Sequence, residues 1–493
     1  MTYPLFNQAE LSQQREFETT NFNAANRTRL EEIGRLDDAL TLSFTESMAV
    51  NEALSRQLVS FQTSKARAIS RWFKFKEAFS DALVEYLFAS GNVVDGPVLD
   101  PFAGSGTTLF ASAMLGFNSE GIELLPIGQE IIAARQLLQG EYTVECLKAI
   151  QRWRDTRPWE TTEPDKTLHE VKITRGAYPP ATKRAIELYV SALKQEPLPC
   201  QKVLRFALLC ILESVSFTRK DGQYLRWDAR AGRKVGKIPF NKGPISDFRA
   251  AIISKFDEIL GDTQQYPLLT QQVQPPGLIH VHPGSCLEIM PSLSPNQYSA
   301  VMTSPPYCNR YDYTRTYALE LALLGATETR FIELRQNMLS CTVENKAKNL
   351  VAINPGWQRA IDVVDNTELL QRVIAYLEEE KQNGSLNNDG IPRMVKGYFY
   401  EMACVISECA RVLRPGAPMF MVNDNVRYQG ASISVDLILS HFANHLGFDI
   451  TKIYILPQGK GNSSQQMGVH GRNQLRKSVY FWRKRDGINT ATP

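Results

Sequence analysis

The sequence predicts an α/β protein: a doubly wound sheet interrupted by helical insertions. Three observations carry this. Residues 96–116 (GPVLDPFAGSGTTLFASAMLG) read as strand, glycine loop, then helix. Ser119 to Glu123 (SEGIE) reads as a second short strand, so the unit is strand–helix–strand, the opening of such a sheet. The same apolar strand pattern resumes far downstream, at Ile279 to Pro283, Ala300 to Thr303 and Pro418 to Asn423.

The other elements follow in chain order. Residues 1–70 are polar, and between Ala25 and Phe61 leucines and isoleucines recur at helical spacing, which predicts a helical N-terminal extension. Residues 71–139 and 279–485 are assigned to one catalytic domain. Residues 140–278 are mostly helical with a basic, glycine-containing stretch. Residues 325–400 form a second helical insertion. Glu401 to Leu413 is a helix ended by Arg414-Pro415-Gly416, and Ile433 to Gly447 is another. Asp449 to Leu456 and Ser478 to Arg483 look like a closing pair of strands.

Composition bounds the function classes. The 493 residues are 43% hydrophobic and 22% charged, enough for a packed core, and the net charge of +3 names no partner. The eight cysteines form no CxxC pair and the histidines no HExxH spacing, so core thiols are expected and a metal site is not. No apolar run reaches the length of a membrane span, and the first residues lack the order of a signal peptide. A cytoplasmic protein is the expectation.

The loop Asp100-Pro101-Phe102-Ala103-Gly104-Ser105-Gly106-Thr107 follows its strand directly. Glycines at 104 and 106 let the backbone turn tightly and approach a ligand. A Walker loop needs a lysine that is absent, and a nicotinamide loop prefers a third glycine where Leu109 stands. A methyl-donor loop fits better. Asp100 can meet an ammonium group, and Glu123 can accept from both hydroxyls of a ribose. A sulfonium donor carries no phosphate and needs no phosphate cradle.

Ser304-Pro305-Pro306-Tyr307 follows the strand Ala300 to Thr303. An exocyclic base amine is a weak nucleophile because its lone pair is delocalised into the ring. The serine oxygen and the first proline's carbonyl can accept its two N–H hydrogens and draw the nitrogen toward tetrahedral geometry for in-line attack. The prolines fix the backbone that presents the carbonyl, and the tyrosine ring offers a stacking face to a base rotated out of the duplex.

Together these motifs resemble the amino-group-specific, S-adenosylmethionine-dependent DNA methyltransferases, which act on cytosine N4 or adenine N6. The resemblance covers about 70–130, 279–325 and 395–485 and implies a Rossmann-like methyltransferase sheet. The segment Trp72 to Ser80, with Phe75 and Lys76, is similar to the one that precedes the donor loop and helps hold S-adenosyl-L-methionine. Asp100, Pro101, Phe102, Gly104, Gly106 and Thr107 would form the donor loop, Glu123 the ribose contact, and Ser285 the contact near the adenine, where the family usually carries an acid. Ser304, Pro305, Pro306 and Tyr307 would be catalytic. In this family the serine at the head of the motif leans toward cytosine N4, with adenine N6 the alternative. An RNA or protein amide methyltransferase and a non-catalytic DNA-binding subunit are the rival readings. Double-stranded DNA is the implied partner, and a cognate restriction endonuclease or another defence-system protein is compatible with it.

Residues 217–243 hold eight cations and two acids, a surplus of six positive charges in a chain whose net charge is +3. Tyr224, Trp227 and Phe240 are interleaved. Arg219, Lys220, Tyr224, Arg226, Arg230, Arg233 and Lys234 are therefore the expected DNA contacts, and residues 140–278, the first insertion, which carries them, are the expected target-recognition region. The second insertion and the loop 459–476 are rival contact surfaces. Pro199-Cys200-Gln201 looks like a nucleophile motif for attack on a ring carbon, but its leucine-rich surroundings predict a core thiol.

Overall fold

The structure, a computed structural model, describes residues 24–55, 57–60, 67–75, 78–221, 224–233, 239–269, 276–457 and 475–486. Lys76, Lys234, the side chain of Tyr224 and residues 459–474 of the closing loop lie outside the described residues.

The strands are β1 (Met48–Val50), β2 (Val98–Asp100), β3 (Ser119–Glu123), β4 (Thr218–Asp221), β5 (Tyr224–Trp227), β6 (Ile279–Pro283), β7 (Ala300–Thr303), β8 (Pro418–Asp424), β9 (Val426–Tyr428), β10 (Ala431–Ile433), β11 (Phe448–Ile455) and β12 (Lys477–Lys484). Eight of them form one sheet in the order β1-β11-β12-β8-β7-β2-β3-β6. The five strands from β8 to β6 run parallel, and β12 enters antiparallel between β8 and β11. All four residues of β7 and all three of β2 are buried, which is why each strand reads as apolar up to its polar last residue, Thr303 or Asp100. Strand order reverses between β2 and β7, and the carboxyl ends at that reversal form the crevice where open α/β sheets bind ligands.

Helices cover both faces. Ser80 caps the helix Asp81–Gly91 by accepting from the Leu83 N–H, and the helix Thr107–Met114 starts directly after Gly106. The long helix Ile391–Val412 buries most of its length against the sheet. Its first ten residues were assigned to the second insertion, so the boundary at 400 falls inside one helix.

The extension is also more integrated than its polarity suggests. Its helix Ala24–Ser43 lies against the second insertion through Asn26–Glu380, Arg29–Glu379 and Arg372–Glu32. Met48 to Val50 then pair parallel with β11 and extend the main sheet. The first insertion carries an aromatic core around Trp153, Trp159, Tyr189 and Phe256, continuous with the residues just before the glycine loop. Its Asp262 is 1% exposed and accepts from Ile69 N (2.9 Å), Trp72 Nε1 (2.9 Å) and Arg71 Nε (3.0 Å). These bonds fix the segment that leads to Phe75.

Candidate active site

The crevice holds a cavity of about 320 Å³. Asp100, Pro101, Phe102, Gly104 and Thr107 line it from β2 and the glycine loop, and Glu123 from β3. Ser285 lines it from the end of β6, and Ser304 to Tyr307 from the end of β7. Residues about two hundred positions apart in sequence thus share one chamber, because β2 and β7 are neighbours in the sheet.

The loop's geometry explains its glycines. Gly104 and Gly106 have φ of +55° and +81°, left-handed values that favour glycine. A Cβ on Gly106 would sit 2.8 Å from Ile132 Cγ1, so this residue serves the turn and the packing below it and does not line the cavity. A Cβ on Gly104 would sit 3.2 Å from the ring of Phe75, itself a lining residue.

Two buried carboxyls dominate this side. Asp100 is 2% exposed; its Oδ1 accepts from Thr303 Oγ1 (2.6 Å) and from the Phe102 N–H (3.0 Å). Burial pushes its pKa up to about 6, against the pull of those hydrogen bonds. Glu123 is 7% exposed; its Oε2 accepts from the Gly104 N–H and its Oε1 from the Leu125 N–H, both at 2.7 Å. Burial outweighs both bonds and raises its pKa to about 8. Each of its oxygens keeps a second lone pair for a ligand donor. Among the described lining residues the one cation is Lys477, which pairs with Asp424 at 3.1 Å. The carboxyls of Asp100 and Glu123 therefore face a chamber with no protein cation of their own. That suits a ligand which brings positive charge and hydroxyl donors.

The other side is neutral and aromatic. Ser304 Oγ lies 3.1 Å from the Val422 carbonyl, to which it donates, and 3.4 Å from the Tyr307 hydroxyl. With its proton held by a main-chain carbonyl, the serine oxygen is left to accept. Tyr307, Tyr311 and Tyr313 line this part of the chamber, and the last two rings meet edge-on at 4.8 Å.

Comparison with known proteins decides what this chamber belongs to. A family model described as DNA methylase matches residues 44–133. The Type II methyltransferase M.AvaI of Nostoc sp. is 53% identical over 459 residues, covering 92% of this chain and 94% of that protein. Its namesake from Anabaena variabilis matches to the same extent. The Type II methyltransferase M.BsoBI of Geobacillus stearothermophilus is 38% identical over 458 residues, 88% of this chain and 89% of that protein. The chain belongs to the amino-group-specific DNA methyltransferases. It is a DNA methyltransferase of the restriction-modification context, and its methyl donor is S-adenosylmethionine.

The methyltransferase departs from its sequence reading at Lys220 in the basic stretch. Lys220 was expected on a DNA-facing surface. Its side chain is 3% exposed, donates to Glu320 Oε1 at 2.5 Å, and lies over the rings of Phe73 and Tyr317. A cation enclosed in this way cannot reach a phosphate. Arg226 pairs with Asp221 and stacks on Phe240; Arg230 grips Asp228 through two nitrogens; Arg233 donates to the carbonyls of Lys172 and Arg175 and covers Trp227. Arg219 is exposed on the hairpin. Cys200 is buried beside Glu145, and its thiol is pushed up, first by burial, away from the thiolate a nucleophile needs. No helix among the described residues is long and apolar enough to cross a membrane.

Sequence reasoning missed part of the lining. Val59 and Ser60 come from the extension, Asn337 to Leu339 from the second insertion, and the Asp424–Lys477 pair from the end of β8 and the start of β12. None of these carries a local motif.

Proposed function

We propose that the methyltransferase methylates the N4 amine of a cytosine rotated out of duplex DNA, at a specific recognition sequence. S-adenosylmethionine, when bound, would supply an electrophilic methyl group carried on a sulfonium, with the thioether as leaving group. Asp100 would face the donor's ammonium group, Glu123 would accept from the ribose hydroxyls, and Phe75, Phe102 and Thr107 would close the walls around it. Ser304 Oγ and the Pro305 carbonyl accept the amine's two N–H hydrogens, Pro306 stiffens the turn, and Tyr307 stacks on the base. The nitrogen–carbon bond forms as the carbon–sulfur bond breaks, with the electron pair passing to sulfur. The nitrogen then loses one proton to water.

The observation that carries this reading is the shared chamber: acceptors for an amine and carboxyls for a cationic donor line one cavity. The choice of cytosine over adenine rests on the serine at the head of the motif, which in this family leans toward cytosine N4; its proton, held by Val422, leaves the oxygen free to accept from the amine. Arg219, Arg226, Arg230 and Arg233, all at least partly exposed, are kept as phosphate contacts, and a cognate restriction endonuclease is the proposed partner. The test is to incubate duplex DNA with radiolabelled S-adenosylmethionine, digest to nucleosides and identify the labelled one. N4-methyl-2′-deoxycytidine is expected. Label in N6-methyl-2′-deoxyadenosine would overturn the choice of base, and label in RNA but not duplex DNA would overturn the substrate.

A further inference from the structure

In the sheet β7, β2, β3 and β6 lie side by side, so Ser304, Asp100, Glu123 and Ser285 stand at or just beyond successive strand ends. Neighbouring strands are about 4.8 Å apart. A donor with its methyl toward Ser304 and its ribose at Glu123 must therefore carry its adenine past β3, toward the turn after β6. The lining there includes Leu125, Ser285, Asn337, Met338 and Leu339. An adenine edge presents an amino donor beside ring-nitrogen acceptors, so reading it takes an acceptor next to a donor. Ser285 cannot supply both, because its hydroxyl donates to the Asn337 carbonyl at 2.9 Å. The Asn337 carboxamide carries both functions on one planar group. It is half-buried and makes no side-chain hydrogen bond among the described residues.

The wall that bears Asn337 is held from behind. Glu401, 1% exposed, accepts from Ser340 N (2.8 Å), Ser340 Oγ (2.5 Å) and Lys348 Nζ (2.9 Å). Lys348 Nζ also donates to the Met338 carbonyl at 2.8 Å, and Asn345 Nδ2 to the Arg335 carbonyl at 2.6 Å. A buried ion pair is weak evidence for stability but good at fixing one arrangement. Here it fixes the three residues that follow Asn337.

We propose that Asn337 reads the adenine of the methyl donor, so that the second insertion completes the donor site instead of serving only as an appendage. This rests on the donor reading of the cavity. The test measures binding to the DNA-free protein by calorimetry, with two probes: S-adenosylhomocysteine, and its analogue whose purine lacks the 6-amino group. Wild-type protein should bind the first about tenfold more tightly, a difference of about 1.4 kcal/mol. In Asn337→Ala the two probes should bind equally, with S-adenosylhomocysteine about tenfold weaker than in wild type. Asn337→Asp, which keeps an acceptor, should retain the preference. Asn337→Leu keeps the volume and gives the same reading if the alanine variant lowers the melting temperature. An unchanged preference in Asn337→Ala or Asn337→Leu would overturn the role of Asn337 and leave the donor site standing. Failure of wild-type protein to bind either probe would overturn both.

Discussion

The two halves of the chamber are built of different materials. The donor half holds two buried carboxyls, Asp100 and Glu123, clamped by main-chain N–H groups and facing no protein cation among the described residues. The acceptor half presents a hydroxyl, two prolines and three tyrosines, and its one carboxylate, Asp424, is paired with Lys477. On the proposed reading the difference follows the ligands. A sulfonium donor with an ammonium group brings its own positive charge, so unpaired acids are useful to it. A base amine is neutral and needs only oriented lone pairs and a flat apolar surface.

That contrast separates the consequences of mutation. Ser304→Ala should lower kcat by about a thousandfold, the scale of losing an oriented transition-state hydrogen bond. It should leave the affinity for S-adenosylhomocysteine within about twofold, since uniform binding is untouched. Tyr307→Ala should behave the same way. Single-turnover kinetics and calorimetry on the same preparations check both. A serine variant that loses donor affinity and rate together would break the division.

The donor half is also braced from behind. Lys220 and Glu320 form an enclosed pair against Tyr317, whose ring stacks on that of Phe75 at 5.0 Å, and Phe75 lines the chamber. Lys220→Met strands a buried carboxyl and should cost about 3 kcal/mol of stability. The double variant Lys220→Met, Glu320→Leu should recover much of that loss. Denaturant unfolding measures both. A single variant as stable as wild type would show that the pair is not braced as its enclosure indicates.

How much of this was legible beforehand depended on locality. The glycine loop and Ser304 to Tyr307 are contiguous, and their residue types are constrained by the turns they make, so a linear reading reached them. The strand at Met48 to Val50 was missed because three residues in a polar setting gain their identity from β11, about four hundred positions away. Asn337 lies 52 positions from Ser285, and only folding brings them together. Lys220 was misread for another reason. A count of charges ignores the side of a strand, whereas alternation along β4 buries Thr218 and Lys220 and exposes Arg219. That two-residue period was in the sequence and would have separated Lys220 from Arg219.

Asp100→Asn should weaken S-adenosylhomocysteine about tenfold while sparing single-turnover rate at saturating donor, the reverse of Ser304→Ala. The smallest expected effect is the most specific to this half: its dependence on pH. Burial raises the pKa of Asp100 to about 6 and of Glu123 to about 8, above the ordinary carboxylate range near 4. Folding therefore favours their protonated forms. Their contribution to stability is full below about pH 4 and is lost as pH rises through 6 and then 8. The donor favours the opposite forms, because an ammonium group and hydroxyl donors both seek ionised carboxylates. Binding at pH 7 must then release protons, mainly from Glu123, and affinity should rise several-fold between pH 6 and 8.5 before it levels. Calorimetry in two buffers of different ionisation enthalpy reads the proton count directly. Glu123→Gln should remove the upper step and Asp100→Asn the lower one. If affinity is flat across that range and no proton is released, these carboxyls are already ionised in the empty chamber, and its two halves differ in charge for some reason other than the donor.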